Sequence, residues 1–98
     1  MTLQEITTKM KEGASKKSSF GNTVKFATDP GVVYIDGNAN PPSVSNDDKA
    51  ADCTLKMDLS DLADLLGGKL DGMTAFMTGK LKIEGDMGVA MKLQSILR

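Results

Sequence analysis

A chain of 98 residues, 40% hydrophobic and 26% charged, has the length of one domain with one modest core. A net charge of −1 and an aromatic content of 4% offer neither a basic field nor a stacking platform for nucleic acid. With no histidine, the commonest general base, the usual zinc ligand and any Ser-His or Cys-His dyad are absent, and the single cysteine, Cys53, allows no internal disulfide.

Thr2-Leu3-Gln4-Glu5 reads as a capping box, and Leu3, Ile6, Met10 and Ala14 follow at helical spacing, so a first helix is expected to run to near Lys16. Lys9, Lys11, Lys16 and Lys17 lie off that stripe and make a basic edge that suits an anionic membrane surface or simply a solvated face. Glu5 and its polar neighbours interrupt any signal-peptide core, and no apolar run approaches the ~20 residues that span a bilayer, so a cytoplasmic location is expected.

Alternation over Thr23–Thr28 puts Val24 and Phe26 on one face of a strand. Asp29-Pro30-Gly31 turns the chain into a β-branched run, Val32–Asp36, completing a hairpin. Pro41-Pro42 keeps Gly37–Pro42 out of any central strand, and Ser43–Ser45 suits a short edge strand. After a polar turn region, Asn46–Ala51, the stretch Asp52–Met57 alternates Cys53, Leu55 and Met57 against Thr54 and Lys56.

Asp58 is placed to cap a helix over Leu59–Leu66, which Gly67-Gly68 ends. Asp71 caps a second over Gly72–Thr78, closed by Gly79. Lys80–Glu84 forms the last strand with Leu81 and Ile83 inward, Gly85 turns the chain, and Asp86 caps a helix to about Leu97. Alternating strands mean a sheet with one wet face and helices on the other, an α+β two-layer sandwich.

The run from Ala75 to Leu93 is the most distinctive. Met73, Met77, Met87 and Met91 lie in or beside it, and thioether side chains re-pack around varied apolar partners. The final helix carries two apolar stripes, Val89-Leu93-Ile96-Leu97 and Met87-Ala90-Met91 with Gln94, where one stripe would cover a core. The second faces a ligand cavity, a partner protein, a membrane or simply more core. Gly79, Gly85 and Gly88 fit no phosphate-loop spacing and read as caps and close contacts. Lys80, Lys82 and Lys92 suit a carboxylate or coenzyme A phosphates, or a solvated face. Asp58 and Asp61 are accounted for by cap and dipole roles and nothing converges on Asp64 to hold a metal; Cys53 reads as a small core residue.

Lys49-Ala50-Ala51-Asp52-Cys53-Thr54-Leu55, Leu66-Gly67-Gly68-Lys69-Leu70 and above all Ala75-Phe76 with Gly79 through Leu93 resemble the sterol carrier protein 2 family of small intracellular lipid carriers. The order and spacing fit across nearly the whole chain, so residues 1–98 are expected to form one such domain. The resemblance implies a five-stranded, mainly antiparallel sheet, helices over one face and an apolar tunnel between the layers. That tunnel would take fatty acids, fatty acyl-CoA, sterols or phospholipids. On this reading Phe26, Leu62, Leu66, Met73, Phe76, Met77, Ile83, Met87, Ala90, Met91 and Gln94 contact the lipid, with Leu62 and Leu66 core first. The expectation is a monomeric, non-enzymatic carrier without cofactor, whose partners are the lipid and, transiently, a membrane surface. The rival is a protein-interaction or accessory module of a lipid-metabolising enzyme. Peroxisomal members of the family end in a small-basic-leucine tripeptide, whereas this chain ends Ile96-Leu97-Arg98.

Overall fold

Thr2 opens helix α1 (Leu3–Ala14) through the predicted capping box: its hydroxyl accepts from Glu5 N at 3.1 Å, and its own N–H donates to Glu5 Oε1 at 2.9 Å. This computed structural model describes the backbone of residues 2–96 and the side chains of residues 2–92. The helix stops at Ala14, short of the expected Lys16, because Ser15 caps it and its Oγ donates to the Glu12 carbonyl at 2.7 Å, competing with the helical pattern.

Five strands follow: β1 (Thr23–Ala27), β2 (Val32–Asp36), β3 (Ser43–Ser45), β4 (Cys53–Lys56) and, after helices α2 (Leu59–Leu66) and α3 (Gly72–Met77), β5 (Lys82–Gly85); helix α4 (Met87–Ile96) closes the fold. The sheet order is β3-β2-β1-β4-β5. It is mixed: β1–β2, β2–β3 and β4–β5 are antiparallel, while β1 and β4 run parallel.

The register aligns the apolar alternation. Val24 lies opposite Ile35 and Cys53, and Phe26 opposite Val33 and Leu55. These side chains form one core with Ile6 and Met10 of α1, Leu62 of α2, Ala75 of α3 and Val89 of α4. The helices therefore cover one face, with α1 against β2 and β3 and α4 against β4 and β5. The other face carries Lys25 beside Tyr34 and Thr54.

A parallel pair needs a crossover, and residues 46–52 supply it. The crossover is tied down by Lys25 Nζ to Asp48 Oδ1 at 2.9 Å, by Lys49 Nζ 5.7 Å from the Tyr34 ring centre, and by Asn46 Nδ2 donating to Thr7 Oγ1 and Val32 O at 2.9 Å each. At its end Asp52 accepts from Thr23 N at 3.1 Å and Asn22 Nδ2 at 3.3 Å. The Thr23 N–H bond first, then the Asn22 amide, hold its carboxyl below the usual range.

Two glycines are required by space. A Cβ on Gly37 would lie 2.3 Å from the Phe20 ring. At Gly85, φ is +97° and a Cβ would lie 2.4 Å from Asp52 O, the atom that accepts from Asp86 N at 2.9 Å.

Several boundaries move from those expected. The β5 ladder begins at Lys82, not Lys80, because the Lys80 and Leu81 N–H groups both donate to Ala75 O, at 2.9 and 3.0 Å, and stay with the end of α3. Leu81 is nevertheless buried as predicted. Thr78 caps α3 instead of extending it, its hydroxyl donating to Thr74 O at 2.8 Å. Strands β1 and β4 are each shorter than their alternating stretches, although Met57 N still donates to Ala27 O at 3.1 Å. Asp58 occupies the N-cap of α2, but its side chain makes no cap bond; Asp29, from the β1–β2 turn, accepts from Leu59 N at 2.9 Å instead. The reach of α4 to Leu97 lies outside the described residues.

Candidate functional site

Asp71 starts α3 by accepting from Thr74 N at 3.2 Å, and Asp86 Oδ1 accepts from Gly88 N at 2.8 Å at the start of α4. Each helix then turns one small or branched residue into the core: Ala75 is fully buried and Val89 nearly so. Helical geometry places the residues at −2, +1 and +2 from each of these on the far side, as one stripe. On α3 that stripe is Met73, Phe76 and Met77; on α4 it is Met87, Ala90 and Met91.

These stripes reach solvent. Met73 is 55% exposed, Phe76 44%, Met77 78%, Met87 49% and Met91 75%. They are the exposed large apolar side chains among the described residues. Ala90 is half-buried against the core. Monomeric domains rarely leave so many large apolar side chains uncovered unless the surface binds something.

The remaining predicted contacts lie deeper. Phe26 and Leu62 are fully buried, Leu66 and Ile83 half-buried, all in or against the single core. The predicted set thus divides into an inner group on β1, β5 and α2 and an outer group on α3 and α4. The Gln94 side chain lies outside the described residues, as do those of Leu93 and Ile96 from the stripe expected to face the sheet. Val89, the described member of that stripe, does face the core.

A separate cleft of about 600 Å³ opens where Ala27 and Thr28 leave β1 and Met57 leaves β4. Lys56, Lys80 and Lys82 line it with Asp29, Asp58 and Asp61. It shares no residue with the predicted lipid contacts, and sequence reading missed it because its charges come from four separate segments. Its acids and bases balance, and two of its groups are already engaged: Lys56 pairs with Glu84 at 3.0 Å and Asp29 accepts from Leu59 N.

Cys53 is buried on β4, and burial first, then the Asp86 carboxylate, pushes its thiol up, away from the thiolate that a nucleophile needs. Among the described residues no group of three His, Cys, Asp or Glu side chains converges to hold a metal ion, and no helix is long and apolar enough to cross a membrane.

A profile of the SCP-2 sterol transfer family matches residues 3–98. Sterol carrier protein 2 of Bos taurus is 52% identical over 59 residues, covering 60% of this chain and 11% of that protein. Hydroxysteroid dehydrogenase-like protein 2 of Danio rerio is 42% identical over 75 residues, covering 68% of this chain and 17% of that protein. The chain therefore spans less than a fifth of the length of these curated relatives. Among solved structures, the sterol carrier protein domain 2 of Helicoverpa armigera matches with a TM-score of 0.81 at 25% identity, over 96% of this chain and 84% of that one. With the profile matched over nearly every residue and the five-stranded sheet and helices superposing on a solved member, the chain belongs to the SCP-2 sterol transfer family.

Proposed function

We propose that this domain binds one lipid with a long apolar portion, a fatty acid, fatty acyl-CoA, sterol or phospholipid, and carries it without catalysing a reaction. The observation that carries this reading is the pair of solvent-facing stripes on α3 and α4, built from Met73, Phe76, Met77, Met87 and Met91 in a chain of this family. Burial of apolar surface supplies the affinity: about 0.8 kcal/mol per buried methylene of the ligand, before the cost of ordering it. Thioethers adapt to a chain of any shape, so discrimination among lipids is weak. In the bound state the stripes close over the ligand, and the inner group (Phe26, Leu62, Leu66 and Ile83) forms the floor of the tunnel.

Titration of delipidated protein with a fluorescent fatty acid tests this. Saturable uptake at one ligand per chain, displaced by unlabelled lipid, is expected; no uptake would reject it. The accessory-module reading draws on the Danio rerio relative, in which the matched segment is 17% of a protein named as dehydrogenase-like. That reading gains if this chain alone takes up no lipid.

A further inference from the structure

Met73, Phe76, Met77, Met87 and Met91 are the exposed large apolar side chains among the described residues, and no leucine, isoleucine or valine joins them. The branched aliphatics are kept in or against the core, as with Leu62, Leu66 and Ile83. Leucine would offer comparable apolar surface and helix propensity. It lacks the property that sets methionine apart, a sulfur that mild oxidants attack. The outward stripes of α3 and α4 therefore owe their large apolar side chains to four thioethers and one phenyl ring. The other sulfurs among the described residues are shielded, because Met10, Met57 and Cys53 are buried.

We propose that Met73, Met77, Met87 and Met91 form a reversible oxidation site that switches lipid binding off, an inference that rests on the lipid-binding reading above. In each, the thioether lone pair attacks one oxygen of a hydroperoxide. The O–O bond breaks as the S–O bond forms, and the other oxygen takes a proton and leaves as water or an alcohol. Sulfur loses two electrons and the peroxide gains them. The product is a sulfoxide, polar and chiral, whose acceptor oxygen must be desolvated before a lipid can cover it. The way back consumes two thiols, which leave as a disulfide while the sulfoxide oxygen leaves as water, the chemistry of methionine sulfoxide reductases.

The test treats delipidated protein with hydrogen peroxide, maps it by peptide mass spectrometry and titrates it with a fluorescent fatty acid. Sulfoxide should form on the four stripe residues, first on Met77 and Met91, the most exposed, while Met10, Met57 and Cys53 stay unmodified. The oxidised protein should keep its circular dichroism and bind the fatty acid at least about tenfold more weakly. Reductases for both sulfoxide epimers, supplied with dithiothreitol, should restore the affinity. In a variant combining Met73→Leu, Met77→Leu, Met87→Leu and Met91→Leu, the affinity, whatever its starting value, should not move with peroxide. Reductase rescue reads the same point in the unmutated chain. Four results would overturn the switch: affinity unchanged by full oxidation of the stripes; loss that comes only with sulfoxide on Met10 or Met57, which assigns it to unfolding; an equal loss in the leucine variant; and loss that the reductases do not reverse. Untreated protein that takes up no fatty acid overturns the carrier reading and the switch with it, whereas uptake that survives oxidation overturns the switch alone.

Discussion

Replacing Met77 and Met91 with glutamine separates a ligand surface from a core. Glutamine is unbranched like methionine and similar in helix propensity, so α3 and α4 keep their local preference. The two side chains are 78% and 75% exposed, so little packing within the protein is lost. Each change should therefore shift unfolding free energy by no more than about 0.5 kcal/mol. Bound lipid changes the account. Full burial of a methionine side chain is worth about 1.5–3 kcal/mol, and about three quarters of that is still to be gained at each position, or ~1–2 kcal/mol. Glutamine forfeits it, so each substitution should weaken lipid binding about 5–30-fold, at 1.4 kcal/mol per tenfold. Thermal melts of delipidated protein and titration with a fluorescent fatty acid read the two quantities separately. A large loss of apo stability, or an unchanged affinity in the double variant, would refute the reasoning.

Three further outcomes test the frame that holds the stripes. Leu62→Ala, at a fully buried position of α2, should cost about 2–5 kcal/mol in urea unfolding, in contrast to the methionine changes. Gly85→Ala should destabilise by about 1–3 kcal/mol through its positive φ, and more as the Asp52–Asp86 backbone bond is pushed apart, visible as faster hydrogen exchange at the Asp86 amide. Asp52 has a folded-state carboxyl value below its unfolded one, so its contribution is complete above the unfolded value of about 3.9 and is lost as pH falls through the folded value; Asp52→Asn should flatten that part of the acid unfolding profile and leave the fall due to other carboxylates.

Features set by neighbours in sequence were the legible ones. The capping box at Thr2, the Asp71 cap, the turn at Asp29-Pro30-Gly31 and the inward set Val24, Phe26, Val33, Ile35, Cys53 and Leu55 all rest on contacts or alternation within a few residues. Features set by distant partners were not. Alternation is the same in parallel and antiparallel strands, so the β1–β4 pairing gave no local signal. Asp58 looked like the cap of α2, but Asp29, 30 residues away, takes the Leu59 N–H. The start of β5 depended on a carbonyl at Ala75. For the site, residue spacing announced two stripes on the final helix and a methionine-rich α3, and the buried Ala75 and Val89 define which side of each helix points away from the core. That the outer stripes stand in solvent follows from how the helices sit on the sheet, which residue spacing does not encode.

Methionine-methyl NMR tests the central claim most directly, because the probes are already in place. Met73, Met77, Met87 and Met91 lie on the proposed binding stripes, whereas Met10 and Met57 are buried at 6% exposure in the core. Delipidated protein labelled at the methionine methyls is titrated with a saturated fatty acid. The four stripe methyls should shift together and saturate at one ligand per chain, with Met10 and Met57 nearly still. Shifts confined to Met10 and Met57, or a spectrum unmoved by excess lipid, would contradict the assignment of α3 and α4 as the lipid-binding surface.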